Sequence, residues 1–377
     1  MTEIPSLLYS EIEDDVRATL RGLLADRCSW NDVLTRVDTD EPYDDALWKA
    51  VGEDLGLAGL LVPEELGGAG GTAREVAVVL EELARAVAPV PYLASAVLAV
   101  GALLAAPEGP ARDGALGALA AGAKVGTLAV PATTYGAPFP LTVTGAPDGD
   151  GLVLTGAVTS VLAADRADLL VVPVVVAGEP YLALVDGTAP GLTRGRITTL
   201  DATRPVGPVT LDGVPAAVVA GPDAAEAALR HALGLGAALL ASEQLGVSER
   251  ALEEAVNYLK VRHQFGRPIG SYQALRHRAA DLWADIAAAR ATARYAAAAF
   301  ADGSPDAEVA ASLAQAYCGD VAVHAAEECV QMHGGIGFTW EHPAHLYLKR
   351  AMSLSLLLGT ADRHRTVLGG LVDLPPA

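Results

Sequence analysis

"YLKVRHQFGRPIGSYQALRHRAADL" occupies residues 258–282, and "QMHGGIGFTWEHPAHLYLKRA" occupies 331–351. Each stretch leaves a helical pattern, passes through a glycine-bearing break and enters a new helix. Before the first break, Leu245, Leu252, Val256 and Leu259 recur at helical spacing. "QFGRPIG" then interrupts the pattern. Ser271 is placed to cap the next helix, whose apolar stripe is Leu275, Ala279, Leu282 and Ile286. Asp306 is placed to cap a third helix, running to "HGG" at 333–335, and Pro343 suits the first turn of a fourth. Long antiparallel helices with alanine-rich faces pack closely, and such faces often continue into oligomers.

The texture differs on the N-terminal side. Residues 123–219 hold short β-rich runs, "TLAV", "LTVTG", "LVLTG", "LLVVPVVV" and "YLALVDG". Hairpin-type breaks separate them at "PDGDG", 147–151, and "AGEP", 177–180. From 1 to 122 the helical spacing returns: Val16, Leu20, Leu23 and Leu24 form one stripe, and Leu47, Trp48, Val51 and Leu55 another. "LLVPEELGGAGGT", 60–72, reads as a tight connector. The expected class is α+β in three domains. A helical domain takes residues 1–122, an antiparallel, barrel-like β domain 123–219, and a four-helix bundle 220–377.

The totals exclude several functions. A net charge of −20 argues against nucleic acid or an anionic membrane as a general partner. It leaves room for an anionic cofactor on a local basic patch. The N-terminus, "MTEIPSLLYSEIEDD", is acidic and lacks the basic-then-apolar order of a signal peptide. "YLASAVLAVGALLAA" is shorter than the about 20 apolar residues a membrane span takes, so it reads as a buried helix. Cys28, Cys318 and Cys329 follow no metal or disulfide spacing, and a reduced, cytoplasmic setting fits them. His342, His345 and His364 lack the companions that a metal site needs.

The two C-terminal stretches, together with "LLVPEELGGAGG", resemble the acyl-CoA dehydrogenase family. The resemblance covers almost the whole length and the three-domain order. It implies an FAD enzyme, dimeric or tetrameric, that acts on an acyl-CoA thioester. A carboxylate takes the α-proton, and the β-hydrogen leaves as hydride to the flavin. By this resemblance Arg262 pairs with the FAD diphosphate, where a guanidinium fork suits two phosphate oxygens. Gln264 and Phe265 pack on the cofactor, Gln273 contacts it, and Gln331, Gly334 and Gly335 lie along its adenine end. In the family these groups serve the FAD of the neighbouring subunit.

Other positions depart from the family pattern. The usual Thr-Glu-Pro loop is "VPATTYGAPF", 130–139, where only Thr133 or Thr134 offers a hydroxyl in kind. The tryptophan that walls the flavin is replaced by Ser160. In the turn that reads Tyr-Glu-Gly-Thr in the family, the base falls on Leu358. Gly359 and Thr360 are kept, and with them the backbone N–H that meets a thioester oxygen. Asp362 stands where a glutamine is usual. The alternative base position, on the first long C-terminal helix, is Gly236, followed by Ala237. Glu243, two turns further along the same face, is the remaining candidate base, set against a plain helix-contact role. Glu253 and Glu254 read as a solvated face. The resemblance therefore implies a subunit that completes a catalytic partner's FAD site, like the non-catalytic chains of α2β2 acyl-CoA dehydrogenases. A self-sufficient enzyme using Glu243, and a scaffold without flavin, stand as alternatives.

Overall fold

A computed structural model describes residues 6–136, 138–140 and 142–374. Residues 1–5 of the acidic N-terminus, Ala137 of "VPATTYGAPF", Leu141 and the last three residues lie outside the described set. The helices are α1 Glu11–Arg27, α2 Trp30–Val37, α3 Asp45–Lys49, α4 Ala73–Arg85, α5 Val100–Leu104 and α6 Pro110–Ala120. Then come α7 Pro222–Val261, α8 Gln273–Ala301, α9 Ala307–His333, α10 Ala344–Leu354 and α11 Ala361–Leu371. The strands are β1 Gly126–Leu128, β2 Val143–Asp148, β3 Gly151–Leu162, β4 Leu169–Val176, β5 Glu179–Asp186, β6 Leu192–Arg194 and β7 Val206–Ala220, with a hairpin of β8 His263–Gln264 and β9 Arg267–Pro268. The order is that expected: helices, then a β region, then helices. By contacts the described chain forms two units. One holds residues 39–76 and 89–236, and the other holds the remainder.

In the first unit the strands close a circuit: β4 pairs β2, β2 pairs β3, β3 pairs β7, β7 pairs β5, and β5 returns to β4. Alternating residues of these strands face a core that includes Leu154, Val172, Val174, Val185, Val209 and Leu211. Most pairings are antiparallel, as expected, with β1 and β2 each meeting β4 in parallel. The two expected hairpin breaks are turns. At "AGEP", Ala177 and Gly178 both take positive φ (52° and 92°), as a type I′ turn requires. The run read as a buried helix is a π-helix, Leu93–Ala99, continued by α5, and its residues are buried. Ser95 Oγ on it accepts from the Gly126 N–H at 2.9 Å and so fixes β1.

In the second unit α1 begins with a capping box. Ser10 Oγ accepts from the Glu13 N–H and Glu13 Oε2 accepts from the Ser10 N–H. Glu13 is also ion-paired at 2.5 Å with Arg294 of α8, both side chains being buried. Tyr9, just before the helix, has its ring between the guanidinium groups of Arg17 and Arg294, each 4.1 Å from the ring centre. Its hydroxyl donates to the Glu81 carboxylate. A lattice of ion pairs spreads from there. Arg17 meets Glu81 and Glu82, Arg85 meets Glu249 and Glu253, Arg290 meets Glu249, and Arg250 meets Glu254. Glu253, exposed as expected of a solvated face, and Glu254, half-buried, are members of this lattice. Helices α4 and α7 touch closely enough that a Cβ on Gly246 would stand 2.2 Å from the Glu81 carbonyl oxygen, which requires glycine there.

Three expected helix starts are adjusted. Ser271 does not cap α8, because it belongs to a 3-10 turn, Ile269–Ser271, and the N-cap position falls on Tyr272. Asp306 holds the N-cap position of α9 without a side-chain bond. Pro343 stands immediately before α10. No helix among the described residues is long and apolar enough to cross a membrane.

Candidate functional site

A small apolar core gathers the sequence-distant candidates. Ala255 and Leu259 of α7, Ile269 of the hairpin base, Leu275 and Ala279 of α8, and Met332 of α9 pack together. The polar residues beside them face outward: Arg262, Gln264, Gln273, Gln331, Gly334 and Gly335 are all exposed. The hairpin is anchored by the Ile269 N–H donating to the Arg262 carbonyl at 2.8 Å and by Tyr272 Oη donating to the Gln264 carbonyl. Gly270 allows the close return, since a Cβ there would meet the Leu259 carbonyl oxygen at 2.8 Å. At the tip Phe265 is 91% exposed and holds φ at 54°. An apolar ring in water on a strained backbone is the mark of a surface made to be covered. After α9, Gly334 turns the chain at φ 62° into the Gly334–Phe338 turn. Behind it His333, buried, stacks on His342 at 4.0 Å and on Tyr258 at 4.5 Å.

The turn at Leu358, where the resemblance places the family base, is built differently. Leu358 is fully buried, with φ at 51°, and Gly359 follows at φ 97°. Thr360 caps α11, its Oγ1 accepting from the Arg363 N–H. The Leu358 carbonyl accepts from His364 Nε2 at 2.8 Å. Upstream, the Leu354 carbonyl accepts from Gln244 Nε2 at 3.2 Å. The same nitrogen donates to Gln315 Oε1, and Gln315 Nε2 donates to the Ala237 carbonyl at 2.7 Å. Two buried amides thus hang the turn from α7 and α9. Sequence reading did not single out Gln244 and Gln315; a polar residue on an alanine-rich helix looks the same whether it faces water or core.

Glu243 is engaged within this same buried layer. Its carboxylate accepts from Arg350 Nη1 of α10 at 3.0 Å, and both side chains are 1% exposed. The helix-contact role weighed against the base is the one the geometry displays. Ser160 sits at a bulge in the β3–β7 pairing with φ at 55°, and its carbonyl accepts from the Ala132 N–H. Thr133 is exposed and Thr134 half-buried.

Burial pushes the His364 imidazole down to about 4, against the opposing pull of its bond to the Leu358 carbonyl. Its neutral form is therefore the native one. Stability from this residue is intact above the ordinary histidine pKa near 6.5 and is lost as pH falls towards 4. At pH 5 the loss is about 2 kcal/mol. His364→Asn, which keeps a donor for the carbonyl, is expected to lose less melting temperature than the parent between pH 7.5 and pH 5. Thermal melts at the two pH values measure this, and equal losses would refute it.

Residues 10–122 match the N-terminal domain of acyl-CoA dehydrogenases, and residues 226–370 match their C-terminal domain. The chain is 37% identical to the acyl-CoA dehydrogenase IpdE2 of Mycobacterium tuberculosis, over 91% of this chain and 92% of that one. It is 33% identical to IpdE2 of Mycolicibacterium smegmatis, over 93% and 95%. Among solved structures it is similar to a variant of the Tcur3481-Tcur3483 steroid acyl-CoA dehydrogenase (32% identity, TM-score 0.87, 96% and 98% of the two chains). It is also similar to a chain of the ChsE4-ChsE5 complex of M. tuberculosis (29%, TM-score 0.88, 99% and 100%). The chain belongs to the acyl-CoA dehydrogenase family. Members of that family bind FAD. The exposed cluster of Arg262, Gln264, Gln273, Gln331 and two glycines fits an anionic dinucleotide. Arg262 makes no side-chain hydrogen bond or ion pair among the described residues, so its guanidinium is available to phosphate.

Proposed function

We propose that this chain is the non-catalytic subunit of a heteromeric acyl-CoA dehydrogenase, and that it completes the FAD site of a catalytic partner. The observation that supports this reading is the outward-facing set of Arg262, Gln264, Gln273, Gln331, Gly334 and Gly335, the residues expected at the dinucleotide, beside a fully buried Leu358 where the base is expected. FAD would supply the hydride acceptor. Arg262 would hold its diphosphate, Gln264, Phe265 and Gln273 would pack beside it, and Gln331 with Gly334 and Gly335 would lie along the adenine. The similarity to the ChsE4-ChsE5 complex and to the Tcur3481-Tcur3483 steroid enzyme supports a two-chain assembly and a CoA thioester with a bulky, steroid-derived acyl group. Three free, buried cysteines suit a reducing, cytoplasmic setting.

The test is to purify the chain alone and again after co-expression with acyl-CoA dehydrogenases of its own genome. The lone chain is expected to be colourless and inactive, and one pairing yellow and active. A yellow, active lone chain would sink the proposal.

The self-sufficient alternative rests on Glu243 and meets the Arg350 ion pair. The Glu243 carboxylate already accepts from the buried Arg350 guanidinium at 3.0 Å, so that oxygen is engaged in a helix contact. In the active pairing, Glu243→Gln is expected to leave kcat and its pH profile within about twofold. It would cost about 3 kcal/mol of stability by removing one charge of a buried ion pair. Loss of kcat by about 100-fold or more, with the melting temperature unchanged, would restore Glu243 as the base.

A further inference from the structure

Between Glu254 and Asp281 the chain carries Lys260, Arg262, Arg267, Arg276 and Arg278 and no carboxylate. Elsewhere Asp and Glu dominate, at 46 against 26 Lys and Arg in the whole chain. All five cations are exposed. Arg278 is neutralised by Glu328 of α9, through bonds of 2.7 and 2.5 Å. The other four meet no carboxylate among the described residues. Arg276 is steered by its Nε donating to the Gly270 carbonyl at 2.7 Å, and Arg267 lies over the Tyr272 ring at 3.9 Å. Lys260 and Arg262 have no side-chain partner among the described residues. These four groups flank the hairpin that carries the projecting Phe265: Lys260 and Arg262 precede it, Arg267 lies in it and Arg276 follows in the first turn of α8. A dinucleotide diphosphate brings about two negative charges, so Arg262 and one neighbour suffice for it. The remaining cations exceed what the cofactor needs.

We infer that the hairpin and the first turns of α8 form a cationic docking surface for a carboxylate-rich rim on the flavin-bearing partner subunit. Phe265 is the apolar anchor at its centre. This rests on the heteromeric reading above and specifies the partner's chemistry. Opposed charge of this kind steers encounter and sets the partner's orientation, while the buried ring slows dissociation. A chain with 46 Asp and Glu against 26 Lys and Arg is on balance repelled by an acidic partner, so a cation-rich patch also favours which face docks.

The test uses the yellow complex of the whole chain with its co-expressed dehydrogenase. Dissociation constants are measured by sedimentation at about 50 and about 500 mM NaCl, where screening lengths differ about threefold. The double variant Lys260→Glu/Arg276→Glu leaves Arg262 and the glutamines in place, and Lys260→Gln/Arg276→Gln serves as the milder control. The expected results are roughly tenfold weakening by salt, about 100-fold weakening by charge reversal and an intermediate value for the neutral variant. Flavin content per assembled complex should stay unchanged. Circular dichroism and melting of the isolated variants report their folding, which solvent exposure of both residues protects. A complex indifferent to salt and to both variants would overturn the docking surface and leave the heteromeric reading intact. No complex with any dehydrogenase would overturn both. If the wild-type chain self-associates and charge reversal dissolves that association, the occupant is a second copy, and the proposed partner is wrong.

Discussion

Leu358→Glu is expected to destabilise the chain without turning it into a dehydrogenase. Leu358 is fully buried, between Leu357 and Gly359, which are buried as well. The neighbouring donor, His364 Nε2, is already spent on the Leu358 carbonyl. A carboxyl placed there gives up water and gains no evident partner, at a cost of about 3 kcal/mol. Its pKa would rise, as burial disfavours the charged form, so destabilisation should deepen with increasing pH. A fall of several degrees in melting temperature at pH 8, smaller at pH 5, is the expected record. Dehydrogenase activity of the lone variant should stay below about 1% of the yellow complex, because Ser160 and the Thr133–Thr134 loop would remain as they are. A yellow variant that turns over acyl-CoA on its own would show that Leu358 is the only obstacle in a site otherwise complete, and the subunit reading would fall.

Arg262→Ala is expected to act in the opposite way, leaving the fold alone and emptying the complex of flavin. The side chain is exposed and makes no contact that the fold depends on, so the melting temperature of the isolated chain should shift by no more than about 1 °C. A bidentate guanidinium–phosphate contact contributes about 3 kcal/mol, so the complex should retain FAD about 100-fold less tightly. Arg262→Lys should recover only part of this, since an ammonium offers a point charge where a planar fork is used. Flavin absorbance after gel filtration at falling protein concentration measures the loss. Wild-type retention in Arg262→Ala would take the diphosphate contact away from this residue.

These two positions show how unevenly sequence exposes a site. The exposed placement of Arg262 was legible because it stands in a local motif whose residues share one small core, so proximity in sequence nearly equals proximity in space. Leu358 was legible as a departure, because Gly359 and Thr360 around it were kept. What escaped was the support beneath the turn. Gln244, Gln315 and Arg350 come from three helices, and nothing in a one-dimensional pattern pairs a glutamate with an arginine 107 positions away. The helices themselves were readable from their apolar stripes, yet their caps were less so. At α8 the backbone used a 3-10 turn where a serine cap was expected, and such choices are set by tertiary packing. The parallel meetings of β1 and β2 with β4 were invisible for the same reason, since short β runs declare their faces but not their neighbours.

Tyr9, clasped between Arg17 and Arg294, bears on how the protein should be handled. Its ring separates two like charges, and its hydroxyl serves Glu81, whose carboxyl burial has already pushed up to about 7. A clipped amino terminus would leave the arginines facing each other across a vacant slot and withdraw a donor from a carboxylate that has few. Tyr9 is thus a wedge set just ahead of α1. Cleavage on the C-terminal side of Tyr9 would loosen the joint between α1 and α8 before it reached a helix.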